Sequence, residues 1–359
     1  VLLAIETSCD ETAVALLDQT AYLAGNHLYN SVVIAELVSS QVKFHQPYGG
    51  VVPELASREH ILNLPLLVKE LLQRYNLPAE QIEGIAVTAG PGLKGCLLVG
   101  LAFAKGLAQK LNVPLFAINH LEGHLLSAHL EPARPGYPYL ALLVSGGNTL
   151  LALVRGVRNY RILASTRDDA AGEAFDKIAT LLNLPYPGGP ELSARAALGN
   201  AASFQLPVGV PSESDAFSFS GLKTAVARLV QQCTKNGTLQ LSESTRCDIA
   251  ATSQEAIVQA LVIKTSENLR AIMREEPQVK QLVLCGGVAA NSRLRARIAE
   301  VLAPLGVQLI VPPLKLCTDN AVMIGVVSLE LLQSGLADLG SGFVDEQVSA
   351  LPRWPLGEL

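Results

Sequence analysis

The chain has no excess of positive charge, no paired cysteines and no apolar run long enough to cross a bilayer. Lys and Arg number 27 against 32 Asp and Glu, a net charge of −5. A protein that binds nucleic acid unaided is usually basic, so RNA contact here would rest on a local basic patch or on a partner. The six cysteines, at positions 9, 96, 233, 247, 285 and 317, form no C-x-x-C pair. Scattered in apolar contexts, they argue against a four-cysteine structural zinc and for free thiols in a reducing cytoplasm. Although 49% of residues are hydrophobic, polar residues interrupt every run before the roughly 18 that a spanning helix needs. Val1 to Ile5 reads as a buried strand and not a signal peptide, since no basic stretch precedes it. There is no low-complexity tract and no block of like charge.

What is present repeats. The 359 residues suffice for two lobes with a sizeable core. Leu2 to Ile5 and Ala13 to Leu17 are apolar strands around the polar turn Glu6-Thr7-Ser8-Cys9-Asp10-Glu11-Thr12. Leu140 to Val144 and Leu150 to Val154 flank Ser145-Gly146-Gly147-Asn148-Thr149 in the same way. Ile85 to Thr88 runs into Ala89-Gly90-Pro91-Gly92, a helical stretch and the strand Pro114 to Ile118. Leu282 to Cys285 likewise runs into Gly286-Gly287-Val288-Ala289-Ala290-Asn291, a helical stretch and Val307 to Val311. Such self-similarity predicts an internal duplication, with two α/β lobes whose glycine turns line a nucleotide cleft. The segments Pro185 to Pro190 and 207–213 read as loops, and Cys233 to Ser244 as a surface turn.

The most informative stretch is Asn119-His120-Leu121-Glu122-Gly123-His124. If it is helical, His120 and His124 share a face and can hold one metal ion. A third ligand must come from elsewhere. Cys317-Thr318-Asp319-Asn320 is the equivalent turn of the second copy, a good helix cap that would place Asp319 across the cleft from the histidines. His129 falls off the shared face, and His45 and His60 have no spacing argument. Gly90-Pro91-Gly92-Leu93-Lys94-Gly95 is a literal G-x-G-x-x-G, but no carboxylate ends the next strand, so a tight turn fits better than a dinucleotide site. Ser220-Gly221-Leu222-Lys223-Thr224 lacks P-loop spacing. Asp10 and Glu11 are either a solvated turn or carboxylates that orient a nucleotide phosphate through a cation or water.

Taken together, these motifs resemble one family. Lys105 to Leu125 fits what was once called the glycoprotease signature. Glu6 to Thr12, Val144 to Gly147, Phe217 to Thr224, Gly286 to Asn291 and Cys317 to Asn320 match as well, in order, over nearly the whole chain. The family is the universal tRNA threonylcarbamoyladenosine transferases, whose bacterial branch is TsaD. The resemblance implies a duplicated two-lobe fold of the actin-like, sugar-kinase and Hsp70 type (ASKHA, ribonuclease H-like). Its expected division is 1–118 plus a helix near 320–338, then 119–319, then a loosely packed tail over 342–359. The implied reaction moves a threonylcarbamoyl group from threonylcarbamoyl-AMP to N6 of adenine 37, in tRNAs reading codons that begin with A.

By position, His120, His124 and Asp319 would hold the metal, iron or zinc, and Mg could accompany the nucleotide. Leu143, Val144, Ser145, Gly146, Gly147, Asp176, Gly189 and Asn291 would hold the adenylate. Asp10 and Glu11 would line the cleft and support turnover. Implied partners are the tRNA anticodon loop, a non-catalytic paralogue (TsaB-like) pairing through the first lobe, and a small P-loop ATPase (TsaE-like). A homodimer is the alternative. The setting would be cytoplasmic, without membrane. Two positions depart from the pattern. Asn148 stands where many bacterial members have histidine, and Ala216 separates Asp215 from Phe217, which puts Asp215 in doubt. The rival readings are a metallopeptidase and a kinase or ATPase of the same fold. In H-E-x-x-H the acid follows the first histidine; here it is Glu122, about 200° around a helix from His120. A kinase would not need the histidines.

Overall fold

The computed structural model describes residues 1–209, 216–234, 241–340 and 348–356. Asp215 and residues 210–213 of the second expected loop lie outside them. The chain forms two compact units. The first comprises Val1–Gly136, Arg155–Tyr160 and Lys315–Leu359, the second Tyr137–Val154 and Arg161–Leu314.

The first unit holds the strands β1 (Leu2–Glu6), β2 (Glu11–Leu17), β3 (Val33–Ser40), β4 (Gly84–Gly90) and β5 (Leu115–Asn119), in the order β3-β2-β1-β4-β5. β1 pairs antiparallel with β2 and parallel with β4, and β4 pairs parallel with β5. The second sheet consists of β6 (Tyr139–Val144), β7 (Thr149–Gly156), β8 (Asn159–Thr166), β9 (Ala216–Phe217), β10 (Gln281–Cys285) and β11 (Gln308–Ile310), in the order β11-β10-β6-β7-β8-β9. β6 pairs antiparallel with β7 and parallel with β10, and β10 pairs parallel with β11. The two sheets therefore share one plan: a hairpin whose first strand is extended by two parallel strands. The duplication read from the sequence is present.

Three expectations change. The units divide at Gly136 and Lys315, not at 118 and 319. The reason is packing: His120–Leu126 and the turn Ser127–Leu130 lie against the helix Ala321–Gln333, and Ala321 to Leu331 of that helix is buried throughout. A helix this largely apolar belongs inside a core. The tail is not loose where it is described. Val348, Ala350 and Trp354 pack on the first core, and Leu351 N–H donates to Ala89 O at 2.7 Å. The segment Pro185 to Pro190 is only partly a loop, because a helix starts at Gly188 and runs to Ala196. Asp176 Oδ1 accepts from Gly188 and Gly189 N–H at 2.9 and 3.1 Å, and a proline in a first turn forfeits no helical bond.

The buried helix Ala321–Gln333 sits close to β1 and β2 because Gly325 has no side chain. A Cβ there would lie 2.4 Å from Leu17 Cδ1. Farther along, Glu330 is 4% exposed. Its Oε1 accepts from Tyr22 Oη and from Arg134 Nη2 at 2.6 Å, and lies 3.1 Å from His129 Nδ1. Burial would raise this carboxyl, but His129, Tyr22 and Arg134 together draw it from 4.5 down to about 2. No helix among the described residues is long and apolar enough to cross a membrane.

Glu330→Gln keeps an acceptor oxygen but removes the charge that pairs Arg134, and is expected to cost about 3 kcal/mol. A carboxyl depressed on folding stabilises the fold above its unfolded pKa and loses that effect as pH falls. The gap in thermal stability between wild type and variant is therefore full above pH 4.5 and shrinks as pH drops toward 2. Calorimetric melts across that range check this; a gap unchanged at pH 3 contradicts it.

Candidate functional site

Two asparagine caps build the site. Asn119 ends β5, and its Oδ1 accepts from Leu121 and Glu122 N–H at 2.9 and 3.3 Å, which starts the helix His120–Leu126. His120 and His124 then project from one face, with ring centroids 4.8 Å apart. In the second copy, Asn320 caps Ala321–Gln333 by accepting from Met323 N–H at 2.9 Å. The residue before that cap, Asp319, is left free to turn toward the histidines. Gly123 lets the two helices meet, since a Cβ there would lie 3.1 Å from both Met323 Cγ and Ile324 Cδ1. The result is a triad. Asp319 Oδ1 lies 3.2 Å from His124 Nε2 and 3.5 Å from His120 Nε2, and one ligand atom from each residue falls within 4.8 Å of the others. All three belong to the first unit, so Asp319 joins the histidines within one body and does not face them from another.

The charges are unusual for a buried place. Burial opposes protonation of His120, yet the Asp319 and Glu6 carboxylates hold it up at about 9. Asp319 also resists burial and is drawn down to about 2 by His120 and His124. Burial pushes His124 down, with Asp319 pulling the other way. Burial, Asp319 and Asp10 push Glu11 up to about 9. Asp10 itself is 8% exposed. Two imidazoles and one carboxylate, crowded by further acids, form a donor set that fits a transition-metal ion and leaves positions open for a ligand. His124 Nδ1 has no hydrogen-bond partner among the described residues.

Sequence reasoning missed the supports. Glu6, fully buried at the end of β1, places Oε2 3.2 Å from His120 Nδ1, and Ser8 Oγ lies 3.1 Å from the same nitrogen. The only early signal was an acid closing an otherwise apolar strand. His60 braces the turn: Nδ1 meets Thr12 Oγ1 at 2.7 Å and Nε2 meets Cys9 O at 2.9 Å. His129 is engaged by Glu330. Glu122 accepts from Arg158 N–H at 3.0 Å and Tyr160 Oη at 2.6 Å, which fits an acid turned off the histidine face. The G-x-G-x-x-G is a packed turn. Leu93 N–H donates to Ser8 O at 2.8 Å, and a Cβ on Gly90, at φ +156°, would lie 1.9 Å from Leu351 O.

In the second unit, Leu143 to Gly147 and Asn291 lie at or just after the carboxyl ends of β6 and β10, where open α/β sheets bind ligands, while Asp176 and Gly189 lie on the helices Ala171–Leu181 and Gly188–Ala196. Leu143 and Val144 close β6 and are buried. Ser145 N–H donates to Asn148 O at 2.8 Å, and Asn148 N–H returns to Ser145 Oγ at 3.1 Å. Gly146 and Gly147 are exposed, with nothing within 4 Å of where a Cβ would sit. Gly172, in the helix Ala171–Leu181 that carries Asp176, donates to Ser145 O at 3.2 Å. Asp176 binds Gly188 and Gly189 as described. Asn291 is fully used: Oδ1 caps Leu294 N–H at 2.9 Å, and Nδ2 donates to Ser193 Oγ at 2.9 Å and Gln254 Oε1 at 2.8 Å.

Comparison with known proteins identifies the family. The family model TsaD, described as tRNA N6-adenosine threonylcarbamoyltransferase, matches residues 32–326. A protein of that name from Bordetella avium (strain 197N) is 47% identical over 360 residues, covering 100% of this chain and 99% of its own length. Its namesake from Bordetella pertussis (strain Tohama I) is 45% identical over 360 residues, with the same coverage of 100% and 99%. Among solved structures, HypF of T. kodakarensis superposes with a TM-score of 0.57 at 16% identity, covering 93% of this chain and 48% of its own. A full-length HypF in a phosphate- and nucleotide-bound form gives 0.56 at 13%, covering 92% and 55%. At such identities the likeness speaks to the fold alone, and that fold is the ASKHA type. The end-to-end identity with the curated relatives says more: the chain belongs to the TsaD family of tRNA N6-adenosine threonylcarbamoyltransferases.

Proposed function

We propose that this chain transfers the threonylcarbamoyl group of threonylcarbamoyl-AMP to N6 of adenine 37 in tRNAs that read codons beginning with A. Membership of the family supports it, and the observation that carries it is the convergence of His120, His124 and Asp319. These three would hold iron or zinc, either of which suits two imidazoles and a carboxylate. Leu143 to Gly147, Asp176, Gly189 and Asn291 would shape the adenylate site, with Gly146 and Gly147 offering backbone N–H groups at the strand end. Asp10 and Glu11 would support turnover and meet any Mg that accompanies the nucleotide.

The reaction is an acyl transfer. N6 of adenine bonds to the carbamoyl carbon, the bond from that carbon to the AMP oxygen breaks, AMP leaves with the electron pair and N6 gives up a proton. The amine is a weak nucleophile because its lone pair is shared with the ring, so positioning and charge stabilisation must supply most of the rate. A bound metal supplies Lewis-acid polarisation of the donor carbonyl. Adenine 37 lies in a loop, so it can be presented without breaking a base pair. A metallopeptidase would need an acid free to act as base beside the ion, and Glu122 is held by Arg158 and Tyr160.

The acidic net charge implies help with tRNA. A paralogue pairing through the first unit would find Ile61, Leu62 and Leu66 on the helix Pro53–Arg74, exposed to 58, 62 and 63%. A small P-loop ATPase, or a second copy of the chain in a homodimer, completes the proposed assembly. The direct test incubates the chain, alone and with such partners, with unmodified tRNA and threonylcarbamoyl-AMP, and analyses the nucleosides. Absence of the modified adenosine in every combination rejects the proposal.

Two substitutions test the assigned roles. His124→Ala should abolish transfer and lower bound metal; elemental analysis showing wild-type content would refute the ligand role. Asn291→Ala should weaken adenylate binding about tenfold, roughly the worth of one hydrogen bond, because it releases the helix that holds Ser193 and Gly189 as well as its own cap. Titration calorimetry giving wild-type affinity excludes that role.

A further inference from the structure

We infer that Glu6 is a positioning residue for the metal centre: its carboxylate fixes the His120 ring so that Nε2 presents its lone pair to the ion. The inference rests on the proposal that His120, His124 and Asp319 bind a metal. A neutral imidazole carries its proton on one nitrogen only, and the partner of the other nitrogen decides which. His120 Nε2 faces Asp319 Oδ1 at 3.5 Å, while Nδ1 faces Glu6 Oε2 at 3.2 Å. With the proton on Nδ1, the ring donates to Glu6 and Nε2 is free to coordinate. This is the carboxylate–histidine–metal arrangement that orients ligands and raises their basicity.

The carboxylate is itself held on both oxygens. Oε1 accepts from Ser8 N–H at 2.6 Å and Oε2 accepts from Thr88 Oγ1. Glu6 and Thr88 are both fully buried, and they sit on the adjacent parallel strands β1 and β4. The sheet thus delivers a fixed acceptor to a fixed ring. Ser8 Oγ, at 3.1 Å from the same nitrogen, can accept the same proton but has no charge with which to hold it. His124 has no such support, since its Nδ1 lacks a partner among the described residues. The two ligands are therefore unequal, and His120 is the anchored one.

The test measures zinc affinity of the full chain by competition with a chromophoric chelator, for wild type, His120→Ala, Glu6→Gln, Glu6→Ala and Thr88→Val. Glu6→Ala should weaken zinc by about 10- to 100-fold. Glu6→Gln should fall between it and wild type, because the amide oxygen still accepts the Nδ1 proton without the charge. Thr88→Val removes only a support of Glu6 and should weaken zinc by a smaller factor, which keeps the test open if the Glu6 variants fail to fold. In the zinc-loaded chain, imidazole NMR should show His120 protonated at Nδ1, with that proton shifted upfield in Glu6→Gln. A purely structural Glu6 would leave the shift in place. If His120→Ala loses zinc while the Glu6 and Thr88 variants bind like wild type, Glu6 has no such role and the metal reading stands. If His120→Ala binds zinc like wild type, the metal reading itself fails.

Discussion

One carboxylate oxygen organises the candidate metal centre. Asp319 Oδ1 stands within 3.5 Å of two imidazole nitrogens. An ion pair at about 4 Å is worth about 4 kcal/mol at an effective dielectric of 20, while withdrawing each ion from water costs several kcal/mol. The two terms nearly cancel, so attraction alone does not assemble the triad. Backbone does. Asn119 and Asn320 fix where two helices begin, and Gly123 lets those helices touch. The side chains are carried to their meeting point by capping and packing. The Asp319 and Glu6 carboxylates favour a proton on His120. Ligands must shed such protons to bind a cation, so proton and metal compete for one place.

Much of this was legible because it was local. The pair His120 and His124 needs only the helical period, and both asparagines announce helix starts. The duplication showed as two apolar hairpins and two strand–glycine–helix units, and the sheets repeat that order. What remained hidden depends on distant partners. Glu6 meets a ring 114 positions away, and His60 grips a turn 51 positions away; nothing local marks either as more than a buried polar residue. The unit boundary was misplaced for a related reason. Strand and helix look alike in both copies, but the helix Ala321–Gln333 is largely apolar, buried from Ala321 to Leu331, and goes to the core that can bury it, with β1 and β2.

Two glycine turns show how little a motif fixes by itself. Gly90 to Gly95 satisfies a dinucleotide fingerprint, whereas Ser145-Gly146-Gly147 matches none as specific. In the first, glycine is required because backbone occupies the space: Leu351 O would lie 1.9 Å from a Cβ on Gly90, and Ser8 O 2.7 Å from one on Gly92. In the second, no atom lies within 4 Å of a Cβ on Gly146 or Gly147, and φ is not in the left-handed region at either. Packing and conformation therefore do not demand glycine there. Open space does not by itself mark a ligand, since Gly106 and Gly156 are as open, but glycine does leave backbone N–H groups accessible to close approach. The carboxyl end of β6 is where open α/β sheets bind ligands, and of the two turns it is the exposed one there, not the packed one at Gly90, that has room for one.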